Sequence, residues 1–399
     1  MLTQESAATV RATLPVVGGA IGEIAALFYT RMFEDHPELR RDLFNRGNQA
    51  SGEQQQVLAG AIAAFAGMLV EHPDVRPDAM LARIAHKHAS LGITPEQYNV
   101  VHKYLFGAIA EVLGEAVTPD VAAAWDEVYW LMANALIALE ARLYQEAGVG
   151  LGEVWHRATV VCRIQESAEA VSFGLRFADG SPLPGFRPGQ YLSVAVTLPD
   201  GARQIRQYSL SRYSLPEGPG RDLWRITVKR VRGAAGPDGE VSNHLHGRVR
   251  EGDELCVSLP FGDLALDDSD APLLLASAGI GCTPMLGMLT HLADRGTDRA
   301  VTVLHADRSA GDHAHRAETR ALVAQLPDAA LHLWYEDGVD GRTGHVDLAD
   351  IDLPTGVRAY LCGPLPFMRH LRGALLARGV PAGAIHYEVF GPDLWQAHG

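Results

Sequence analysis

Cysteine is scarce in this chain of 399 residues. There are four, Cys162, Cys256, Cys282 and Cys362, and no two form a Cys-x-x-Cys pair. That argues against a zinc ribbon, an iron–sulfur cluster or a disulfide framework, and fits a reducing cytoplasmic setting. Positive charge is also in deficit: 34 Lys and Arg stand against 48 Asp and Glu, a net charge of −14. A chain this acidic repels phosphate backbones, so no nucleic-acid partner is expected. The first residues lack a basic stretch followed by an apolar one, so no signal peptide is expected. One uncharged run, 271–289, is long enough to span a bilayer, but Pro272, Gly279, Gly281, Pro284 and Gly287 interrupt it. A buried strand at 273–277, a Gly turn and a helix are expected there, and no integral membrane segment.

What is present is ordinary globular composition, 47% hydrophobic and 21% charged, over a length that suits about two to three domains. The pattern changes near residue 150. Residues 1–147 repeat apolar side chains at three- and four-residue spacing, which predicts an all-α part. Residues 148–152 read as a Gly-rich linker. Strand-like alternation at 159–164, 191–197, 224–231 and 254–259 then predicts an antiparallel β-barrel over 153–265. From 266 to 399, strands at 273–277, 300–305, 331–335 and 359–361 alternate with helical stretches, which predicts an α/β parallel sheet. The middle part is close to neutral and the two flanking parts are acidic.

In the helical part, polar residues lie on or beside apolar stripes. Leu81, Ile84 and His88 share one face of a helix, and His86 points about 200° away, near solvent. Gln54 extends the stripe of Leu58, Ile62, Phe65 and Leu69. Tyr98 heads the stripe Val101, Leu105, Ile109 after a Thr94-Pro95-Glu96-Gln97 helix start. Tyr29 flanks Phe28 and Met32, and Glu140 flanks Leu136 and Leu143. Singly, each reads as a satisfied core or boundary residue. Together they turn five polar groups toward one core, more than a helical domain needs for stability.

Phe28-Tyr29-x-Arg31-Met32-Phe33, Leu43-Phe44-Asn45 and Lys87-His88 resemble a bacterial globin in order and spacing. The resemblance implies His88 as the proximal ligand of a haem b iron. It implies Tyr29 and Gln54 in the distal pocket, Leu58 above the iron and Phe44 against the porphyrin. Tyr98 and Glu140 would form a proximal relay, and His86 and His102 would be solvent or structural histidines. A carboxylate accepting the ligand's other N–H gives the imidazole anionic character, which favours oxygen activation over carriage.

In the barrel part, Arg187-Pro-Gly-Gln-Tyr191 and Arg206-Gln207-Tyr208-Ser209 resemble the flavin strands of ferredoxin-reductase-like proteins. The resemblance implies Arg206 at an FAD diphosphate, Tyr208 stacked on the isoalloxazine and Ser209 near its N5. Val241 and Ser242, at a helix start, would sit by a phosphate. In the last part, Gly279-Ile280-Gly281-Cys282-Thr283-Pro284 joins a strand to a helix, the place for a pyrophosphate of NADH or NADPH. Cys362-Gly363-Pro364 would lie beside the nicotinamide, with Cys362 small, buried and without a redox role. Glu388-Val389-Phe390-Gly391-Pro392 would cover the flavin, and Lys87 and Glu388 match positions that tune haem and flavin potentials. Asp307-Arg308 leaves the choice between NADH and NADPH open.

Three such parts in this order resemble the flavohaemoglobin family over nearly the whole chain. The resemblance implies nitric oxide dioxygenase activity: NAD(P)H reduces FAD, FAD passes single electrons to haem, and oxygen and nitric oxide leave as nitrate. Partners would be small molecules, and the chain a monomer. Rival readings are an oxygen- or nitric oxide-binding sensor or carrier, and an alkyl hydroperoxide or ferric reductase built from the same domains.

Overall fold

Apolar spacing in the first part folds as seven helices in a computed structural model that describes residues 2–212, 223–233 and 237–391. They are α1 (Gln4–Asp35), α2 (Pro37–Asp42), α3 (Arg46–Ala50), α4 (Glu53–Glu71), α5 (Asp78–Leu91), α6 (Pro95–Leu113) and α7 (Pro119–Glu146). Local chemistry marks their ends. Thr3 and Thr118 accept backbone N–H groups at the starts of α1 and α7. Thr94 and Gln97 form the capping box expected at α6, with Pro95 in its first turn. Inward faces give two apolar clusters, one around Val10, Val17, Phe65, Leu81, Trp125 and Leu136, the other around Ile24, Phe28, Met32, Leu105 and Ile109. Each fully buried side chain of this size contributes about 1.5–3 kcal/mol. By length and composition α1 is long and apolar enough to cross a membrane, yet its Val10, Val17, Ile24, Phe28 and Met32 are core residues. Hydropathy of the 271–289 run did not point to this helix.

Contacts divide the chain into two units. The first is Met1–Trp155 with Thr197–Ile205 and the stretch from Gly391, and the second is His156–Val196 with Arg206–Phe390. Six strands close a barrel in the order β1-β2-β5-β4-β3-β6. They are β1 (Trp155–Ser167), β2 (Ala170–Phe177), β3 (Tyr191–Thr197), β4 (Arg203–Arg212), β5 (Trp224–Lys229) and, after helix α8 (Glu240–Arg248), β6 (Glu254–Ser258). Neighbouring strands β1 and β2, β2 and β5, β4 and β5, and β3 and β6 pair antiparallel. Sequence patterning missed β2, since nearly every side chain in it is buried and no polar alternation is left to see.

The remaining elements are β7 (Leu273–Ala278), α9 (Cys282–Arg295), β8 (Val301–Asp307), α10 (Arg316–Val323), β9 (Ala329–Tyr335), β10 (Arg342–Thr343), β11 (Arg358–Cys362), α11 (Leu365–Ala377) and β12 (Ile385–Glu388). They form the expected parallel sheet, ordered β10-β9-β8-β7-β11-β12. The chain builds outward from β7 through β8 and β9, then crosses back to β11. Strand order therefore reverses between β7 and β11, and sheets of this kind take ligands outside the carboxyl ends of the strands at such a switch point.

Candidate functional site

His88 lies in the last turn of α5, with its side chain about one third exposed. Its Nδ1 meets Glu140 Oε1 at 2.8 Å and the Tyr98 hydroxyl at 3.0 Å. Tyr98 also donates to Glu140 Oε1 at 2.6 Å. Three helices thus contribute one group each: α5 the imidazole, α6 the phenol and α7 a carboxylate only 2% exposed. Burial, and next the Glu140 charge, push the Tyr98 phenol far above its ordinary range, so it stays a donor. The three expected proximal residues come together as a hydrogen-bonded triad. Tyr129, unanticipated from sequence, donates to the Tyr98 carbonyl at 2.6 Å and steadies that turn of α6.

Tyr29 is 4% exposed, and its hydroxyl bonds to the Gln54 side chain. Burial raises this phenol more than that bond lowers it, so it too remains protonated. The Tyr29 ring packs against Phe28, Phe33 and Phe44, with centroids 4.6, 5.6 and 5.8 Å apart. Leu58 and Phe44 are half-buried members of the same cluster. An imidazole fixed by a buried carboxylate, and an apolar wall carrying one phenol and one amide, make a donor set that fits haem. Lys87 and His86 are half-buried. His102 is structural: it bonds Asp126 at 2.6 Å and stacks on Phe106 and Trp130.

In the barrel, Arg206 and Tyr208 share a face of β4. Gln207 Nε2 donates to Ser193 Oγ at 2.8 Å. Tyr191 is 7% exposed and Ser209 3%, and the buried Ser209 hydroxyl has no hydrogen-bond partner among the described residues. A buried orphan hydroxyl lacks compensation for its lost water, and a flavin edge fits that need. Val241 is a core residue. The Ser242 hydroxyl is committed: it accepts from Val231 N–H and donates to the Gly239 carbonyl, both at 3.1 Å. At that helix start the hydroxyl tethers a loop, leaving backbone N–H groups for any phosphate.

Pairing registers place Ser277, Cys362 and Glu388 on one rung at the carboxyl ends of β7, β11 and β12. Gly279–Gly281 forms a single turn that feeds α9, whose first residues are Cys282, Thr283 and Pro284. A Cβ on Gly281 would collide with the Cys362 carbonyl, so only glycine lets these two loops touch. Burial pushes the Cys282 thiol up to about 12, and burial with the Glu388 charge raises Cys362 as well. Both are inert thiols at neutral pH. Gly363 and Pro364 lead into α11, and Val389 N–H meets the Glu388 carboxylate at 3.2 Å. Phe390 is left 47% exposed next to Gly391. Pro392 lies outside the described residues. Asp307 turns inward to His305, while Arg308 stays at the surface, paired with Asp312 at 2.7 Å.

A haem-type pocket followed by a flavin-type barrel and a pyridine-nucleotide crevice defines an oxidoreductase with a globin attached. Residues 26–136 match the globin family, and 275–373 match the oxidoreductase NAD-binding domain. A flavohemoprotein of Bordetella parapertussis is 45% identical over 98% of this chain and 99% of its own length. One from Rhizobium meliloti is 41% identical over 99% and 100%. The crystal structure of a Malassezia yamatoensis flavohemoglobin with bound FAD and heme superposes with a TM-score of 0.89, at 36% identity and coverage of 98% and 100%. The FAD/NAD-binding domain of a Vibrio cholerae nitric oxide dioxygenase covers 60% of this chain and all of its own, at 39% identity and TM-score 0.55. The chain belongs to the flavohaemoglobin family.

Proposed function

We propose that this protein is a cytoplasmic nitric oxide dioxygenase that uses haem b, FAD and NADH or NADPH. One nitric oxide, one oxygen and one electron give one nitrate, so each NAD(P)H supports two turnovers. FAD and haem, when bound, supply hydride splitting and oxygen activation.

The observation that carries the reading is a single chain that holds, in its helical part, a carboxylate-backed imidazole and a buried protonated phenol, and, further on, a glycine turn between a strand and a helix of a parallel sheet. His88 would hold iron through Nε2, since Glu140 and Tyr98 occupy Nδ1. The carboxylate keeps that imidazole electron-rich, which suits activation rather than storage. Tyr29, aligned by Gln54, offers a hydrogen bond to a negatively polarised ligand, about 1.5–3 kcal/mol when charge-assisted. Phe44 and Leu58 keep water away from it. Arg206, Tyr208 and Ser209 would seat FAD, and the exposed Phe390 ring, also in the second unit, would be its flat cover. Gly279–Gly281 and the start of α9 would take the pyrophosphate, and the Ser277–Cys362–Glu388 rung the nicotinamide. Two protonated thiols there leave the hydride path free of thiolate charge.

The test is aerobic nitric oxide consumption by the full-length protein with NADH or NADPH. Two nitrates per nucleotide oxidised are expected, with Tyr29→Phe slowing removal about tenfold or more. Nitric oxide that binds without nitrate forming, while both cofactors are reduced, would overturn the reading. A faster turnover of alkyl hydroperoxide would do the same.

A further inference from the structure

Residues 148–152 read in sequence as a plain linker, yet the structure shows a packed joint at the end of the helix that carries His88. The last turn of α5 closes with Gly92 N–H on the Ala89 carbonyl and Ile93 N–H on the carbonyl of His88 itself, at 3.0 and 3.1 Å. The segment after α7 then folds onto this end. Trp155 Nε1 donates to the Leu91 carbonyl at 3.3 Å. Gly92 and Gly152 lie back to back, both with φ of +76°. A Cβ on Gly92 would come within 2.8 Å of the Gly152 carbonyl, and one on Gly152 within 2.9 Å of the Thr94 methyl and 3.0 Å of the Gly92 carbonyl. Val154, fully buried, packs behind them.

The same joint is tied to the proximal triad. Tyr144, 1% exposed, donates to the Ile93 carbonyl at 2.7 Å. It lies one turn beyond Glu140 on α7, so the two project from one face. That face holds the His88 ring with a carboxylate and the end of the His88 helix with a phenol. The start of α5, by contrast, carries no side-chain cap. The ties at the carboxyl end lie about one turn from the ligand: Gly92 is four residues beyond His88.

We infer that Gly152 and Trp155 are positioning residues for His88: the segment between α7 and β1 fixes the end of α5 and thereby the His88–Glu140 hydrogen bond. Glycine serves here for close approach of two backbones rather than for flexibility. The inference rests on His88 as the haem ligand.

Trp155→Phe keeps an aromatic ring but loses the Nε1–H and part of the indole. Gly152→Ala inserts a methyl group where two backbones touch. In the full-length haem-loaded protein each is expected to speed amide hydrogen exchange at Gly92 and Ile93 about tenfold or more. Each should also move the ferrous iron–histidine stretching band in resonance Raman to lower frequency, as Glu140 loses its hold on the ring. Tyr104→Phe, which breaks a 2.7 Å bond to Asp35 on the other side of α6, is the control for general loosening and should leave the band in place. Where Gly152→Ala does not fold, Trp155→Phe carries the test. An unmoved band and unchanged exchange in Trp155→Phe overturn the inference, as does an equal shift in Tyr104→Phe. If the wild-type band does not depend on His88, the haem reading falls with it, so the two failures are distinguishable.

Discussion

Glu318→Gln is expected to weaken the second unit by about 3 kcal/mol at neutral pH. Glu318, in the first turn of α10, receives a two-pronged bond from Arg225 of β5, at 2.9 and 3.0 Å. The Arg225 side chain is 9% exposed and that of Glu318 21%. Burial alone would raise this carboxyl. The His315 hydrogen bond and the Arg225 charge outweigh it and bring the group from 4.5 down to about 2. At about 1.4 kcal/mol for each pH unit of that depression, the stabilisation is about 3 kcal/mol. Because the folded value is depressed, the stability is present above pH 4.5 and is lost as pH falls toward 2. The assay is urea unfolding of the full-length protein at pH 7 and pH 3.5, followed by flavin fluorescence. The variant should lose stability at pH 7 and show a shallower acid response. Arg225→Ala, which removes the arginine partner of this carboxylate, should cost about 3–5 kcal/mol. A Glu318→Gln protein within about 0.5 kcal/mol of wild type at pH 7 would refute the reasoning.

His313, stacked on His305 at 3.7 Å, is held down to about 2, mainly by burial and next by the His305 charge. The unfolded chain therefore takes up this proton first, and stability falls below about pH 6.5 by about 1.4 kcal/mol per pH unit. His313→Phe should remove one proton from that slope, read as urea midpoints at pH 7 and 5. Glu140→Gln should cost about 1.5–3 kcal/mol, since it replaces charge-assisted bonds to His88 and Tyr98, whereas Tyr98→Phe should cost about 1. Thermal unfolding followed at the Soret band separates them, and equal losses would count against the carboxylate as the centre of the triad. Arg206→Ala should raise the FAD dissociation constant about tenfold or more and leave the Soret band intact, measured as flavin lost on dialysis.

Much of the architecture was legible because it is written in local period. The three- and four-residue spacing gave the helices, the capping box placed α6 to the residue, and Gly-x-Gly between a strand and a helix placed the nucleotide turn. His88, Tyr98 and Glu140 were legible as polar residues on or beside apolar stripes. Their union on one oxygen was not, because it depends on how α5, α6 and α7 cross. Tyr129 and Tyr144 escaped notice for the same reason: one reaches a carbonyl on α6 and the other a carbonyl in the loop after α5, and a tyrosine on a buried face has no local mark of that. Strand β2 was hidden by its uniform burial. Ser242 carried a phosphate-site motif, but its hydroxyl is spent on Gly239 and Val231, in the segment that leads into its own helix.

By itself the sequence determined which segments would be helix or strand, where the character of the chain changes, and which residue types could bind iron, flavin and nucleotide. Those features follow from the spacing of side chains along one backbone and from capping and turn chemistry within a few residues. Only the tertiary structure decided that Glu140 and Tyr98 share the Nδ1 side of His88, that Ser277, Cys362 and Glu388 lie on one rung, and that Gly92 meets Gly152. Each joins residues at least ten positions apart, through packing of side chains and close backbone approach. Contacts of that kind have no period, so the chain must fold before they exist.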